Sequence, residues 1–118
     1  DVDAAIKNAG FSPYRPGDLP QGFMLARAEV TTVNGVRTLH LIYSDGLRSI
    51  SLFENDANAA ADFGALRPKT THFEGHAADY IEDGPTTLLT WKEHGLAFAL
   101  VGDLLLPELV QIARSVVP

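Results

Sequence analysis

At 118 residues the chain has the length of one domain that buries its own core, and 46% hydrophobic against 20% charged residues argues against a disordered chain, while no apolar run reaches the roughly 20 residues of a bilayer-crossing helix. Nine Lys and Arg against 15 Asp and Glu give a net charge of -6 without any basic run, which excludes a nucleic-acid footprint and disfavours an anionic lipid surface. The absence of cysteine removes disulfides, zinc–thiolate sites and thiol nucleophiles from consideration.

Val2, Ala5, Ile6 and Ala9 recur at helical spacing, with Asp in the first turn and Gly10 at the stop, so a short amphipathic helix opens the chain. From Phe11 to Pro20 three prolines and Gly17 deny donors and fix φ; this is an extended connector, pinned to the body by Phe11, Tyr14 and Leu19. Met24 to Val33 reads as a strand with Leu25, Arg27, Glu29 and Thr31 on one face and Met24, Ala26, Ala28 and Val30 on the other. Asn34-Gly35 predicts a type I′ turn into a second strand, Val36 to Ser44. Leu39 to Phe53, the stretch around which the chain is organised, alternates on both sides of Asp45-Gly46 and predicts a second hairpin with a two-residue type I′ turn. Asn55 to Leu66 is rich in Ala and predicts a short helix ended by Gly64 and Pro68.

Further strands are expected over Lys69 to Gly75, Ala77 to Glu82, Thr86 to Glu93 and Leu96 to Gly102, the last two joined at His94-Gly95. Leu106 to Val117 sets Leu106, Leu109, Val110, Ala113 and Val116 on one helical face, opened by Pro107 and Glu108. The fold class is α+β: a single antiparallel sheet of about six strands, built from hairpins and a meander, with the C-terminal helix packed on one face and a short N-terminal helix. The other face is left to water or a partner.

Chemistry is sparse. If the stretch from His72 to His76 stays extended, His72, Glu74 and His76 point to one side and offer a Zn-type ligand set, the basis for a small metal-dependent hydrolase. Otherwise they are solvated surface residues. His40 and His94 read as half-buried sheet or turn residues. Ser44 and Ser51 lack a Gly-x-Ser-x-Gly elbow, and no Ser, His, Asp set has supporting spacing. Asp79, Glu82 and Asp83 beside Gly84-Pro85 read as a solvated turn rather than a Ca²⁺ loop. Trp91, Tyr80 and Tyr43 read as core aromatics. Leu104, Leu105 and Leu106 cannot all face one core, so Leu104 and Leu105 are the candidate partner-binding residues.

The hairpin YSDGL followed by SISLF resembles the matching hairpin in the C-terminal domain of RseB/MucB-type periplasmic sigma-factor regulators. Leu19-Pro20-Gln21-Gly22-Phe23 is similar to that domain's opening, shared with a related uncharacterised domain of extracytoplasmic anti-sigma-like proteins. Val101-Gly102-Asp103-Leu104, then Pro107 and Ile112-Ala113-Arg114-Ser115-Val116, is similar to its close. The middle, 55–85, carries no family motif, and the lipoprotein-carrier-like domain of those regulators lies outside these 118 residues. The resemblance implies a non-enzymatic extracytoplasmic regulatory domain that binds another protein, the periplasmic segment of an anti-sigma factor, with no cofactor and with membrane contact only through segments outside this chain. An opening on Asp1 instead of Met fits the expectation of a single domain cut or processed from a longer regulator. An apolar-ligand or lipoprotein-sensing domain is the alternative that the same resemblance leaves open.

Overall fold

The computed structural model describes residues 2–56, 63 and 65–118. In chain order its elements are α1 (Val2–Asn8), β1 (Arg15–Pro16), β2 (Met24–Val33), β3 (Val36–Ser44), β4 (Ser49–Asn55), β5 (Lys69–Phe73), β6 (His76–Asp83), β7 (Thr86–Glu93), β8 (Leu96–Gly102), α2 (Leu106–Arg114) and β9 (Val116–Val117). The helix expected over Asn55 to Leu66 falls mainly on 57–62 and 64, outside the described residues.

Two meanders make the sheet. β2, β3 and β4 form one, β5 to β8 the other, and β4 pairs with β8, giving the order β2-β3-β4-β8-β7-β6-β5 with every neighbour antiparallel. The sheet therefore has seven strands where about six were expected, and a separate pair, β1 with β9, stands beside it. Local chemistry explains most of the turns. Asn34, Glu74 and His94 have φ of 51°, 50° and 55°, each followed by a glycine at 78°, 81° and 75°, so all three turns carry the two positive φ values of type I′. The Glu74-Gly75 turn ends β5 at Phe73, two residues short of the expected strand end, because it pairs Phe73 with His76.

The Asp45-Gly46 turn differs from expectation. Ser44 pairs with Ser49, so the loop is wider than two residues, and Asp45 itself keeps a negative φ while Gly46 takes 94°. The Asp45 carboxylate accepts the N–H groups of Leu47 at 2.9 Å and Arg48 at 2.7 Å, taking the place of a backbone turn acceptor. These two backbone donors hold the Asp45 carboxyl below its ordinary pKa. A second departure is in β2, where the register slips between Leu25 and Arg27. The bulge moves Leu25 onto the face of Ala28 and Val30, opposite Tyr43, and leaves Met24 73% exposed.

One sheet face and the helices form the core. Leu39, Leu41, Leu52, Leu89 and Leu100 are fully buried there, joined by Leu109, Ile112 and Ala113 of α2 and Ala5 and Ala9 at the N-terminal end. Trp91 stacks on Phe98 at 5.0 Å and meets Phe73 edge-on at 5.6 Å. Gly102 packs closely on β4: a Cβ there would lie 3.3 Å from Ile50 Cγ1, which would have to give by a few tenths of an ångström. α2 ends at Arg114, three residues before the expected Val117: Ser115 donates both its N–H, at 3.0 Å, and its hydroxyl, at 2.7 Å, to the Ile112 carbonyl. Val116–Val117 then pairs with Arg15–Pro16, and Gly17 N–H bonds the Ser115 carbonyl at 2.8 Å, so the two ends of the chain are clasped together. No helix among the described residues is long and apolar enough to cross a membrane.

Candidate functional site on the second sheet face

Successive strand residues point to opposite faces, so the partners of the core leucines define a second surface. On it, Phe53 of β4, Ala97, Ala99 and Val101 of β8, and Leu88 and Thr90 of β7 line a groove of about 670 Å³. Val33, Val36 and Thr38 bound it on one side, Ala77 and Asp79 on the other, and Phe63 contributes from the connection after β4. The alanines make the hollow: with only a methyl group each, they leave space that the larger Phe53 and Leu88 border. The lining is mostly apolar with polar groups at the margin.

Beside the groove three polar side chains meet across three strands. His40 Nδ1 lies 3.3 Å from Glu29 Oε1, and His40 Nε2 lies 2.9 Å from Ser51 Oγ. The imidazole stacks on Phe53, with ring centres 4.0 Å apart. Arg27 stands 3.6 Å from the same Glu29 oxygen. Burial holds the His40 imidazolium below its ordinary pKa, overcoming the opposing pull of Glu29, so the ring is neutral near pH 7. Sequence spacing had offered no Ser and His set with a carboxylate. The signal lay in register: the Asn34-Gly35 turn, counted back along both strands, sets Glu29 opposite His40. A two-residue Asp45-Gly46 turn would have set Ser51 directly opposite His40; the wider loop shifts it opposite Ile42, still diagonal to His40.

The histidine stretch is organised differently from the extended run that a metal site required. His72 ends near the edge of β5, Glu74 sits in the turn, and His76 begins β6. Glu74 is engaged by Arg114 of α2 at 2.9 Å, while His76 meets the Phe73 ring at 4.6 Å and has Nε2 3.9 Å from Glu93. The turn reverses the chain between Glu74 and His76, so the strand periodicity that would have aligned the three does not apply. Among the described residues no group of three or more His, Cys, Asp or Glu is gathered for a metal.

The leucine triplet divides. Leu104 is buried, 5% exposed, with its carbonyl accepting the Thr87 hydroxyl at 2.8 Å; Leu105 is 68% exposed at the start of α2. Leu104 is thus core, and of the two only Leu105 is exposed. Glu108 reaches back to Leu105 N–H at 3.2 Å, which sets the helix entry and holds Leu105 outward. His94 packs against Tyr14 at 4.8 Å, and Asp79 accepts the Thr70 hydroxyl at 3.3 Å.

A fully buried carboxyl had no sequence signal beyond strand alternation. Glu54 occupies a core position between Leu39 and Phe98, its Oε1 accepting Tyr14 N–H at 2.6 Å and its Oε2 without a partner among the described residues. Burial pushes its pKa up to about 7, against the Tyr14 donor and the Arg15 charge that favour ionisation. Burial also raises the Tyr43 hydroxyl to about 12.

The family model of the domain of unknown function DUF4367 matches residues 13–116. No curated protein matches the chain. Among solved structures, MucB in complex with MucA(peri) superposes with a TM-score of 0.62 at 21% identity, over 92% of this chain and 37% of that one. The Pseudomonas aeruginosa MucA/MucB complex gives a TM-score of 0.61 at 21% identity, over 90% and 35%. The resemblance carried by the opening, hairpin and closing motifs is thereby found again in the fold. This chain spans little more than a third of the matched chains' length, and the likeness is one of fold.

Proposed function

We propose, for a chain that belongs to the DUF4367 family, a non-enzymatic role as an extracytoplasmic regulatory domain, part of a longer regulator, that holds a segment of another protein. The apolar groove on the sheet face opposite α2 carries this reading. An antiparallel sheet covered by helices on one side offers its other side for contact, and here that side is hollowed and mostly apolar, with Asp79 and Lys92 in its lining. The structures similar in fold contain MucB bound to MucA, which makes an anti-sigma segment the partner to test first. An extended segment would lay alternate apolar side chains between Phe53 and Leu88, and Leu105 adds a separate exposed contact.

Titration calorimetry with a purified extracytoplasmic anti-sigma segment from the same organism tests the proposal. Ala97→Glu, which puts a charge into the groove without touching the core face, should weaken binding by about tenfold or more, equivalent to about 1.4 kcal/mol. Equal binding by wild type and Ala97→Glu would remove the groove from the interface. A second reading, an apolar small-molecule site, is favoured by the groove's size, which falls in the range of about 300–1,000 Å³ typical of ligand pockets. Native mass spectrometry separates the two: a retained small molecule lost in Ala97→Glu supports the ligand, and its absence together with peptide binding supports the protein partner.

A further inference from the structure

The three residues beside the groove have the connectivity of an activated nucleophile, and nothing in the binding role uses it. The Glu29 carboxylate faces His40 Nδ1 at 3.3 Å, which places the ring proton on Nδ1 and directs the Nε2 lone pair at Ser51 Oγ, 2.9 Å away. A base within hydrogen-bond reach of a hydroxyl, itself oriented by a third group, is the arrangement by which a weak serine nucleophile is activated. Stacking on Phe53 fixes the plane of the imidazole, and the three anchoring strands are adjacent in the sheet, so the geometry rests on the backbone ladders instead of a loop.

We propose that Ser51 is a covalent acyl-accepting site, with His40 as its base and Glu29 as the positioning residue, for activated esters or thioesters of short apolar acids. The acyl class follows from the surroundings: Val101, directly opposite Ser51 on β8, and Phe53 both line the apolar groove, so an acyl group bonded to Oγ has the hollow beside it. In the step, Oγ attacks the carbonyl carbon, its proton passes to Nε2, the carbon–oxygen or carbon–sulfur bond to the leaving group breaks, and Nε2 returns the proton to the departing alcohol or thiol. No redox partner is required. β4 lies between β3 and β8 and spends its N–H groups in their ladders, so the amides of β4 itself are not available to hold an oxyanion. Arg27, beside Glu29 and opposite Ile42, is the positive charge at this end of the face. The chemistry is therefore restricted to substrates with good leaving groups, and deacylation is slow, so the acyl group accumulates: covalent capture without the turnover of a hydrolase.

Incubation with p-nitrophenyl acetate, read by intact mass and peptide mapping, should place one acetyl group on Ser51 with stoichiometric release of p-nitrophenolate, and none on Ser51→Ala. General-base assistance contributes on the order of a hundredfold or more, so His40→Gln should acylate about a hundredfold slower. Glu29→Gln, at an exposed position, should shift the pH profile of acylation, an effect that a purely structural hydrogen bond would not produce. In the wild type the rate should rise with the loss of the His40 proton and level off, its midpoint below the ordinary histidine range because burial disfavours the imidazolium and outweighs Glu29, with Arg27 adding to the lowering. The profile stands as the deciding measurement if His40→Gln does not fold. Absence of label on Ser51, an undiminished rate in a folded His40→Gln, or a wild-type rate that follows hydroxide concentration without levelling would each overturn the proposal.

Discussion

The two faces of the sheet are built from alternate residues of the same strands, yet they have different physics. Leu39, Leu41 and Tyr43 of β3 are buried, while the residues between them, His40 and Ile42, look onto the opposite side and are half-buried. In β8, Phe98 and Leu100 are buried and Ala97, Ala99 and Val101 line the groove. One face is large, apolar and closed by α2; the other is small-residued, half-buried and polar at the margin. The difference teaches that period-two patterning separates the residues that hold the fold from those free to bind, so the two sets can be perturbed independently.

The largest expected effect is on the closed face. Leu109→Ala should cost about 2 to 5 kcal/mol in urea melts, because Leu109 is fully buried between α2 and the sheet; a loss no larger than that of an exposed alanine substitution would show that α2 is not a lid on this core. Leu104→Ala should follow at about 2 to 3 kcal/mol, since this leucine is core even though its neighbour is not.

Glu54 sharpens the comparison by placing a titrating group on the closed face. Its folded pKa, about 7, lies above the ordinary 4.5, so the folded state holds a proton that the unfolded chain has released. Its stabilising contribution is full below about pH 4.5 and is lost as pH rises through about 7. Glu54→Gln keeps an acceptor for Tyr14 N–H and removes the charge, so at pH 8 it should raise stability on the order of 2 kcal/mol and flatten the pH dependence between these limits. Parallel curves for wild type and variant across that window would mean that the carboxyl is solvated. The smallest expected stability change belongs to Leu105→Ser, within about 0.5 kcal/mol because the side chain is already 68% exposed, with any loss appearing in partner affinity instead.

Much of the fold was legible in the sequence because its determinants are local. Asn34-Gly35 and His94-Gly95 set hairpins through the φ preferences of their own residues, and the alternation of Leu39, Leu41 and Tyr43 marked a buried face before any partner strand was known. The Glu74-Gly75 turn was harder to place, since Glu at positive φ is uncommon: a break after Gly75 was expected, and the turn falls one residue earlier, at Glu74-Gly75. Motif order from Leu19 to Val116 also identified the kind of fold found in MucB.

What the tertiary structure alone decided depends on pairings between distant residues. Alternation in β4 and β8 shows that each buries one face, but only their mutual pairing joins the two meanders and places Phe53 beside Ala99 on the second face. The bulge after Leu25 reverses the phase of β2, a backbone irregularity with no composition signature, and Glu54 reads as an ordinary polar strand residue until Tyr14 is folded against it. Val116 and Val117 continue a helical pattern, yet Ser115 ends the helix and the N-terminal connector captures them as a strand. Sequence determines local dihedral preference and which residues avoid water, and the two turns of the first meander already set Glu29, His40 and Ser51 side by side; which distant surfaces meet is set by the closure of the whole sheet through β4 and β8.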